Sequence, residues 1–218
     1  MERIIRPPVF KGYDISAVFS KRIRNIDELD IKPVFLPVQK HTDDIIVIKE
    51  REMIDKKVVA DAVITDLKDI AIGVKTADCV PVLLYDKKRN VIAAVHSGWR
   101  GTSKNIVGKT VDRMKTDFKS KAIDILAAIG PAICGRCYIV GKDVIDEIKN
   151  LTSFEPEAIN DKFFVNLKDI NRKLLIRAGL SENHIYVTPD CTYCQNDEYQ
   201  SYRYHKNTNS FQISYIKL

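Results

Sequence analysis

The sequence lacks several features that would assign it to a specialised class of protein. Glycine and proline are few, 9 and 8 among 218 residues, which argues against a fibrous or disordered chain. No apolar stretch reaches the length of a membrane span, because the longest, residues 62–74, is broken by Asp66, Lys68 and Asp69. The first residues lack the apolar core of a signal peptide. We therefore expect a cytoplasmic protein that does not enter a membrane.

Signatures of nucleic-acid binding are also missing, since no RRM, KH, zinc-finger or basic-helix pattern occurs. The net charge of +6 comes from 35 basic and 29 acidic residues spread along the chain. Such a distribution predicts a lysine-rich solvated surface, and the alternative is attraction of an anionic substrate such as phosphate. A hydrophobic content of 45% suits one compact domain over residues 1–218, which we expect to be a monomer or a weak homodimer.

Apolar runs alternate with stretches of helical spacing, but not in strict strand–helix–strand order. We therefore predict an α/β fold, a single layered domain with a mixed β-sheet flanked by helices. The nearly all-apolar runs 80–85 and 91–96 are expected to be strands buried on both faces. Other predicted strands cover residues 45–49, 70–74, 122–130, 184–189 and 211–218, and predicted helices cover 103–118, 142–150 and 166–178.

Five cysteines are present, an odd number that favours free thiols over disulfides in a cytosolic chain. Four of them form two C-x-x-C pairs, Cys134 with Cys137 and Cys191 with Cys194. Such pairs can build a structural four-cysteine zinc site. The alternatives are simple packing or redox-labile thiols, and the long separation of the pairs is unlike that of a zinc ribbon.

The fifth cysteine, Cys79, lies near His96 if residues 80–96 form a hairpin. When Tyr85 and Asn90 close the loop, Cys79 falls six residues before Tyr85 and His96 six residues after Asn90. Directly opposed side chains point to the same face with Cβ atoms about 5 Å apart, close enough to share one metal ion. The alternative is a buried thiol beside a capped histidine.

Four sequence blocks resemble one bacterial family. They are TADCVPVLLYD, AAVHSGWRGT, IGPAICGRCYIVG and the C-terminal CTYC…YQSYR. Together they resemble the YfiH/YlmD-type family, formerly called multicopper polyphenol oxidoreductases or laccase-domain proteins. Its members are described as purine nucleoside phosphorylases with adenosine deaminase and methylthioadenosine phosphorylase activity. The resemblance extends from about Pro37 to Leu218.

The resemblance implies a zinc ion held by three protein ligands. The cysteine of the TADC block and the histidine of the HSGWRG block are Cys79 and His96. A further family histidine falls on His41, through the partial match Gln39-Lys40-His41. Three protein ligands leave a fourth position open, as in catalytic zinc sites. A nucleoside and phosphate are then the expected substrates, with copper as an alternative occupant of the site.

Catalytic groups are expected close to this metal. Arg100 and Arg203 are candidates for holding phosphate, because a guanidinium matches a phosphate with two parallel hydrogen bonds. The alternative for each arginine is a structural salt bridge. Asp78 is a candidate general acid or base, and its alternative is a hydrogen bond that orients a neighbour.

Laccase chemistry is disfavoured by the histidine count. A laccase needs a further copper cluster built mainly from histidines, and only His184 and His205 remain after the proposed site. Two other activities stay open on the same residues. One is removal of wrongly built peptidoglycan precursors by a zinc-dependent amidase, and the other is thiol deamidation with Cys79 activated by His96.

The chain departs from the family pattern in two regions. The segment 16–33 is short and lacks the glycine loop that relatives carry. We expect this region to border the substrate pocket. The segments 201–204 and 208–210 each lack one basic residue of the family pattern. Weaker phosphate binding is the hypothesis that follows.

Overall fold

Two β-sheets and a layer of helices stack on one another in a computed structural model, which describes residues 3–149, 151, 157–159 and 162–218. The strands are β1 Ile4–Ile5, β2 Ser16–Ser20, β3 Val34–Phe35, β4 Ile45–Ile48, β5 Ala62–Thr65, β6 Ala71–Thr76, β7 Val80–Asp86, β8 Val91–Ser97, β9 Ile125–Ile129, β10 Ile139–Val140, β11 Glu157–Ile159, β12 Lys162–Phe164, β13 Ile185–Val187 and β14 Gln212–Lys217. The helices are α1 Trp99–Ser103, α2 Ile106–Phe118, α3 Lys142–Ile148, α4 Leu167–Arg177 and α5 Tyr202–His205.

The central sheet has the strand order β13-β9-β7-β8-β5-β4. Its outer pairs, β13 with β9 and β4 with β5, are parallel, whereas the inner pairs are antiparallel. The predicted mixed sheet is therefore confirmed. A second mixed sheet, of order β1-β2-β14-β6-β3, and a small sheet of order β10-β12-β11 were not predicted from the sequence.

The central sheet is buried on both faces. One face packs its Leu83 and Ile92 with Phe19 and Ile72 of the second sheet. The other face packs against helices α2 and α4. Every residue of β7 and β8 is buried, as their almost uninterrupted apolar runs predict. No helix in the described part of the chain combines the length and apolarity needed to cross a membrane.

The predicted helix over residues 103–118 is divided in the structure. A short helix ends at Ser103, and α2 begins at Ile106 because Asn105 adopts a left-handed conformation with φ of 56° and caps it. Its side chain accepts a hydrogen bond from the amide of Gly108 at 3.2 Å. The predicted helix over 142–150 ends at Ile148, and position 150 lies outside the described residues.

The predicted register of the β7–β8 hairpin is wrong by two positions. Asp86 and Val91 form the last pair, so His96 lies opposite Pro81 rather than Cys79. The Asp86 carboxylate accepts the amides of residues 88 and 89, and Asn90 closes the turn with φ of 53°. An offset of two preserves the side-chain face, so Cys79 still points to the side of the sheet that His96 occupies.

The topology brings several strand ends to one end of the central sheet. The amino ends of β4, β5 and β7 lie beside the carboxyl ends of β8, β9 and β13, as the parallel and antiparallel pairings require. The segments that contain His41, Asp61 and Cys79 precede the first three of these strands, and His96 lies at the end of β8. The candidate residues are therefore collected at this end by the fold itself.

Candidate metal centre and active site

The three predicted metal ligands lie together. One ligand atom from each of His41, Cys79 and His96 falls within 4.8 Å of the other two. Nε2 of His41 is 3.9 Å from the Cys79 sulfur, and the two imidazole rings meet edge to face at 4.9 Å between centroids. His96 is buried, Cys79 is half-buried and His41 is exposed, so the cluster opens to solvent on the His41 side.

Asp61, which the sequence analysis did not single out, organises this cluster. Its carboxylate lies 2.6 Å from Nδ1 of His96 and accepts the backbone amides of Lys40, His41 and Thr42, the last at 2.7 Å. One fully buried carboxylate therefore orients one ligand side chain and fixes the loop that carries another. The only sequence signal was an acidic residue placed directly before the apolar run Ala62–Thr65.

The backbone around the ligands is unusual at two positions, and a third is a glycine that leaves space. His41 and Asp78 have positive φ angles of 58° and 90°, which side chains other than glycine seldom adopt. Gly98 leaves the space that the ligands occupy, because a Cβ there would lie 3.0 Å from the Cys79 sulfur and 3.2 Å from the His41 ring. Strain concentrated at one place is characteristic of functional sites.

Electrostatics in the metal-free protein favour a thiolate–imidazolium pair. Burial raises the pKa of Cys79, but the neighbouring His96 and His41 outweigh this effect and lower it to about 6. Burial lowers the pKa of His96, but the Cys79 thiolate and the Asp61 carboxylate raise it to about 9. The Asp61 pKa falls despite burial, because His96 and Thr42 stabilise the carboxylate.

These residues fit a metal ion. Asp61 engages Nδ1 of His96 and leaves Nε2 for coordination, which is the usual way a carboxylate orients a metal-binding histidine. A thiolate with two imidazoles suits zinc, and copper also accepts this set. Within the described ranges the one other cluster able to hold a metal is the four cysteines, so His184 and His205 build no copper cluster there.

A cavity of about 660 Å³ opens beside the three ligands. Asp78 and Arg203 line it, together with Lys75, Tyr138 and Phe211. Its other lining residues are Gln39, Thr76, Ala77, Ile133, Tyr202, Thr208 and Ser210, besides the ligands. The candidate metal ligands, ring surfaces and cationic side chains therefore face the same space.

The candidate catalytic residues Asp78 and Arg203 are linked to each other. The Asp78 carboxylate accepts the Arg203 backbone amide at 2.7 Å and the Thr192 hydroxyl at 2.6 Å. The Arg203 guanidinium donates to the carbonyl of Ile139 at 3.0 Å and lies over the Tyr138 ring at 5.3 Å. One oxygen of Asp78 thus fixes the backbone of Arg203, and the other is engaged by Thr192.

Arg100 occupies a different position. It is exposed, stacks on the Trp99 ring at 4.2 Å and is not among the residues that line the cavity. Its charge still acts on the Tyr138 hydroxyl, so Arg100 lies near the cavity without lining it, a position that we call the rim. Burial, which is the larger cause, and the Cys79 charge together raise the pKa of Tyr138 to about 12, so this phenol stays protonated at neutral pH.

Lys75 and Tyr138 also line the cavity but were not predicted from the sequence. Lys75 is the one charged residue in β6, and its ammonium lies over the Phe211 ring at 4.6 Å. A lone charge in a buried strand was a usable signal.

The segment 16–33 was expected to border the substrate pocket. It instead contributes Arg22, Arg24 and Glu28 to a neighbouring cleft, which shares Ser210 with the cavity.

Comparison with known proteins places the chain in a family. The profile of the family described as multi-copper polyphenol oxidoreductase laccase matches residues 11–218. The chain belongs to this family. A purine nucleoside phosphorylase of Clostridium acetobutylicum is 38% identical over 192 residues, which cover 86% of this chain and 78% of the relative. The YfiH/YlmD-type resemblance is confirmed.

Two further relatives extend the comparison. An adenosine deaminase called RL5, from an unknown prokaryotic organism, is 33% identical over 209 residues, or 89% of this chain and 79% of the relative. The crystal structure of the hypothetical protein YfiH of Bacillus licheniformis superposes with a TM-score of 0.85 at 27% identity, covering 94% of this chain and 92% of the other. The α/β fold is therefore shared with a solved member of the family.

Proposed function

We propose that this chain is a zinc-dependent purine nucleoside phosphorylase that also deaminates adenosine and cleaves methylthioadenosine. The observation that carries the proposal is the cluster of His41, Cys79 and His96, which forms one wall of a 660 Å³ cavity. Relatives named purine nucleoside phosphorylase and adenosine deaminase support both reaction types. Nucleoside, phosphate and water are the reactants that these activities require.

Three protein ligands leave a coordination position free toward the cavity, which favours zinc in a catalytic role. Bound there, zinc supplies a Lewis acid and lowers the pKa of water to about 7. Asp61 keeps Nε2 of His96 available for the metal by holding Nδ1. Copper remains the alternative occupant, because the same ligand set resembles a blue-copper site.

The residues that line the cavity supply aromatic rings, positive charges and a carboxylate. Tyr138, Tyr202 and Phe211 offer ring surfaces on which a purine can stack. Arg203 and Lys75 supply positive charge for phosphate, with Arg100 at the rim. We assign Asp78 a positioning role, since it fixes the Arg203 backbone and the Thr192 hydroxyl.

Phosphorolysis needs an oxygen of phosphate to bond to C1′ while the bond from C1′ to N9 breaks. The purine then leaves with the bonding electrons and takes a proton at nitrogen. Arg203 and Lys75 hold phosphate against the sugar, which converts a bimolecular encounter into reaction within one complex. Deamination adds water at C6 of adenosine and releases ammonia. Both reactions develop charge that preorganised donors stabilise.

The decisive experiment incubates the zinc-loaded protein with adenosine, inosine and methylthioadenosine, with and without phosphate. Base released only with phosphate identifies the phosphorylase, and inosine formed from adenosine without phosphate identifies the deaminase. Cys79→Ala is the matched negative control, because it removes one ligand from the cavity wall. Absence of turnover of all three nucleosides by the loaded protein would contradict the proposal.

A second candidate function rests on the alignment of Cys79, His96 and Asp61. A thiol with a depressed pKa, a histidine and a buried carboxylate at 2.6 Å also form the arrangement of a cysteine hydrolase or deamidase. In that case the metal-free protein forms an acyl adduct on Cys79 with a glutamine substrate. If zinc protects Cys79 from iodoacetamide and no adduct forms, the deamidase is excluded.

A further inference from the structure

The remaining four cysteines form a second cluster. The sulfur atoms of Cys134, Cys137, Cys191 and Cys194 all lie within 4.8 Å of one another, and those of Cys137 and Cys194 are 3.4 Å apart. Zinc bonded to four sulfurs at about 2.3 Å requires sulfurs roughly 3.8 Å apart in a tetrahedron. The two C-x-x-C pairs, separated by 53 residues in the chain, therefore meet at a spacing that suits one ion.

Each pair sits on a tight turn that directs its sulfurs inward. The amides of Cys137 and Tyr138 both donate to the carbonyl of Cys134 at 3.0 Å, and the amide of Gln195 donates to the carbonyl of Cys191 at 3.0 Å. The Cys191 sulfur accepts the amides of Cys134 at 3.2 Å and Cys194 at 3.5 Å. Such N–H···S contacts orient a metal-bound thiolate and stabilise its charge.

A buried cation lies beside this cluster. Lys168 is 6% exposed, and its ammonium donates to the carbonyls of Thr188 at 2.8 Å and Asp190 at 2.9 Å. Asp190 directly precedes Cys191. A buried ammonium is costly without compensating negative charge. Four thiolates around a divalent ion carry a net charge of −2, which adds to the negative charge of the nearby Asp190 carboxylate.

We propose that these four cysteines bind one zinc ion in a closed, structural site. Each C-x-x-C turn contributes two ligands, so the ion ties the segment after β9 to the segment after β13. Those segments share the isolated bridge between Ala132 and Cys191. Four protein ligands leave no position for a substrate, which distinguishes this site from the three-ligand centre.

The second ion braces the wall of the cavity. Ile133 and Tyr138 flank the first C-x-x-C pair and line the cavity. Thr192 lies within the second pair and donates its hydroxyl to Asp78. Loss of the ion would allow both segments to move. Because Asp78 bonds both Thr192 and the Arg203 amide, the Arg203 backbone would also become less fixed.

The test measures metal content in the full-length protein after zinc loading and removal of free zinc. We expect two zinc ions per chain in the wild type, one in Cys191→Ser and one in Cys79→Ala. Because Cys191 is buried and its variant could fail to fold, Cys194→Ser, at an exposed position, is the second variant and is also expected to retain one ion.

Cobalt provides a readout that is independent of activity. Cobalt-loaded Cys79→Ala is expected to keep the spectrum of a tetrahedral four-thiolate site, and Cys194→Ser is expected to lose it. The proposal is overturned if the wild type holds one ion that neither serine variant removes. It is equally overturned if the second ion survives both serine substitutions, or if Cys137 and Cys194 form a disulfide in the zinc-loaded protein.

Discussion

The two clusters at one end of the central sheet differ in what surrounds them. His41, Cys79 and His96 lie at strand ends and on a strained loop, are held by a buried carboxylate and face a cavity. The four cysteines lie on two tight turns, are held by backbone amides and face one another. In a site with a free coordination position, surrounding residues must hold the ligands rigid. In a four-ligand site, the bonds to the ion hold the ligands in place.

The largest effect is expected from removing a ligand of the three-ligand centre. Cys79→Ala should lower nucleoside phosphorolysis by about 10³-fold or more, since a metal contributes several kcal/mol of charge stabilisation. Cys194→Ser, in the other cluster, should lower kcat by less than about tenfold, because that ion contacts no substrate. Steady-state kinetics of both variants would measure the contrast. Equal losses would remove the distinction between catalytic and structural sites.

A smaller effect is expected from Asp61, which supports the ligands without binding the ion. Asp61→Asn should weaken zinc binding at this centre by about 10–100-fold, the usual consequence of losing a carboxylate that orients a metal-binding histidine. Competition with a chromogenic chelator would measure the change.

Asp86→Asn is the matched control for that substitution. Asp86 is also fully buried but caps the opposite end of the hairpin, where it accepts the amides of Lys88 and Arg89. The Asp86 variant should unfold at lower denaturant concentration with its zinc affinity unchanged. If both variants bind zinc equally well, Asp61 does not orient the centre.

The contrast between the clusters also explains what the sequence could predict. The apolar runs of β7 and β8 indicated buried strands, and the hairpin between them indicated that Cys79 and His96 share a face. The exact pairing was missed, because Asp86 and Asn90 set the turn through side-chain and left-handed backbone geometry. The prediction that Cys79 and His96 share a face still held, because an offset of two residues leaves each side chain on the same face of its strand.

Other elements depended on contacts that no local pattern encodes. Asp61 reaches His41 and His96 across 20 and 35 positions of sequence, so only the pairing of β4, β5 and β8 brings them together. The second sheet combines β2, β6 and the C-terminal β14, which are distant in the chain. The two C-x-x-C pairs were visible as motifs, but their meeting depends on the parallel pairing of β9 with β13.

Zinc binding at the three-ligand centre should depend on pH. The pKa of His96 is raised to about 9, so a proton occupies this ligand at neutral pH and must leave when the metal binds. Affinity should therefore rise about tenfold per pH unit between pH 6 and 9, and level off above pH 9. Below pH 6 the Cys79 thiolate, whose pKa is lowered to about 6, takes up a second proton and the dependence steepens.

Calorimetric titrations in buffers of different ionisation enthalpy would count these protons. Release of one proton per zinc ion at pH 7.5 is expected from the wild type with the four-cysteine site already filled. Release of none would mean that His96 is neutral before the metal arrives, and that Asp61 does not hold a charged imidazole in the metal-free protein.

The smallest effect concerns the arginine that joins the two regions. Arg203 is fixed by Asp78 on the side of the three-ligand centre, and by the carbonyl of Ile139, two residues after Cys137, on the other. Arg203→Lys should raise the KM for phosphate by about tenfold, because a lysine cannot supply the bidentate fork of a guanidinium. Arg100→Lys, at the rim and stacked on Trp99, should raise it by about threefold or less, since an exposed charge is screened by solvent. Phosphate titrations at saturating inosine would rank the two. The reverse order would make the rim, rather than the wall braced by the four cysteines, the site of phosphate binding.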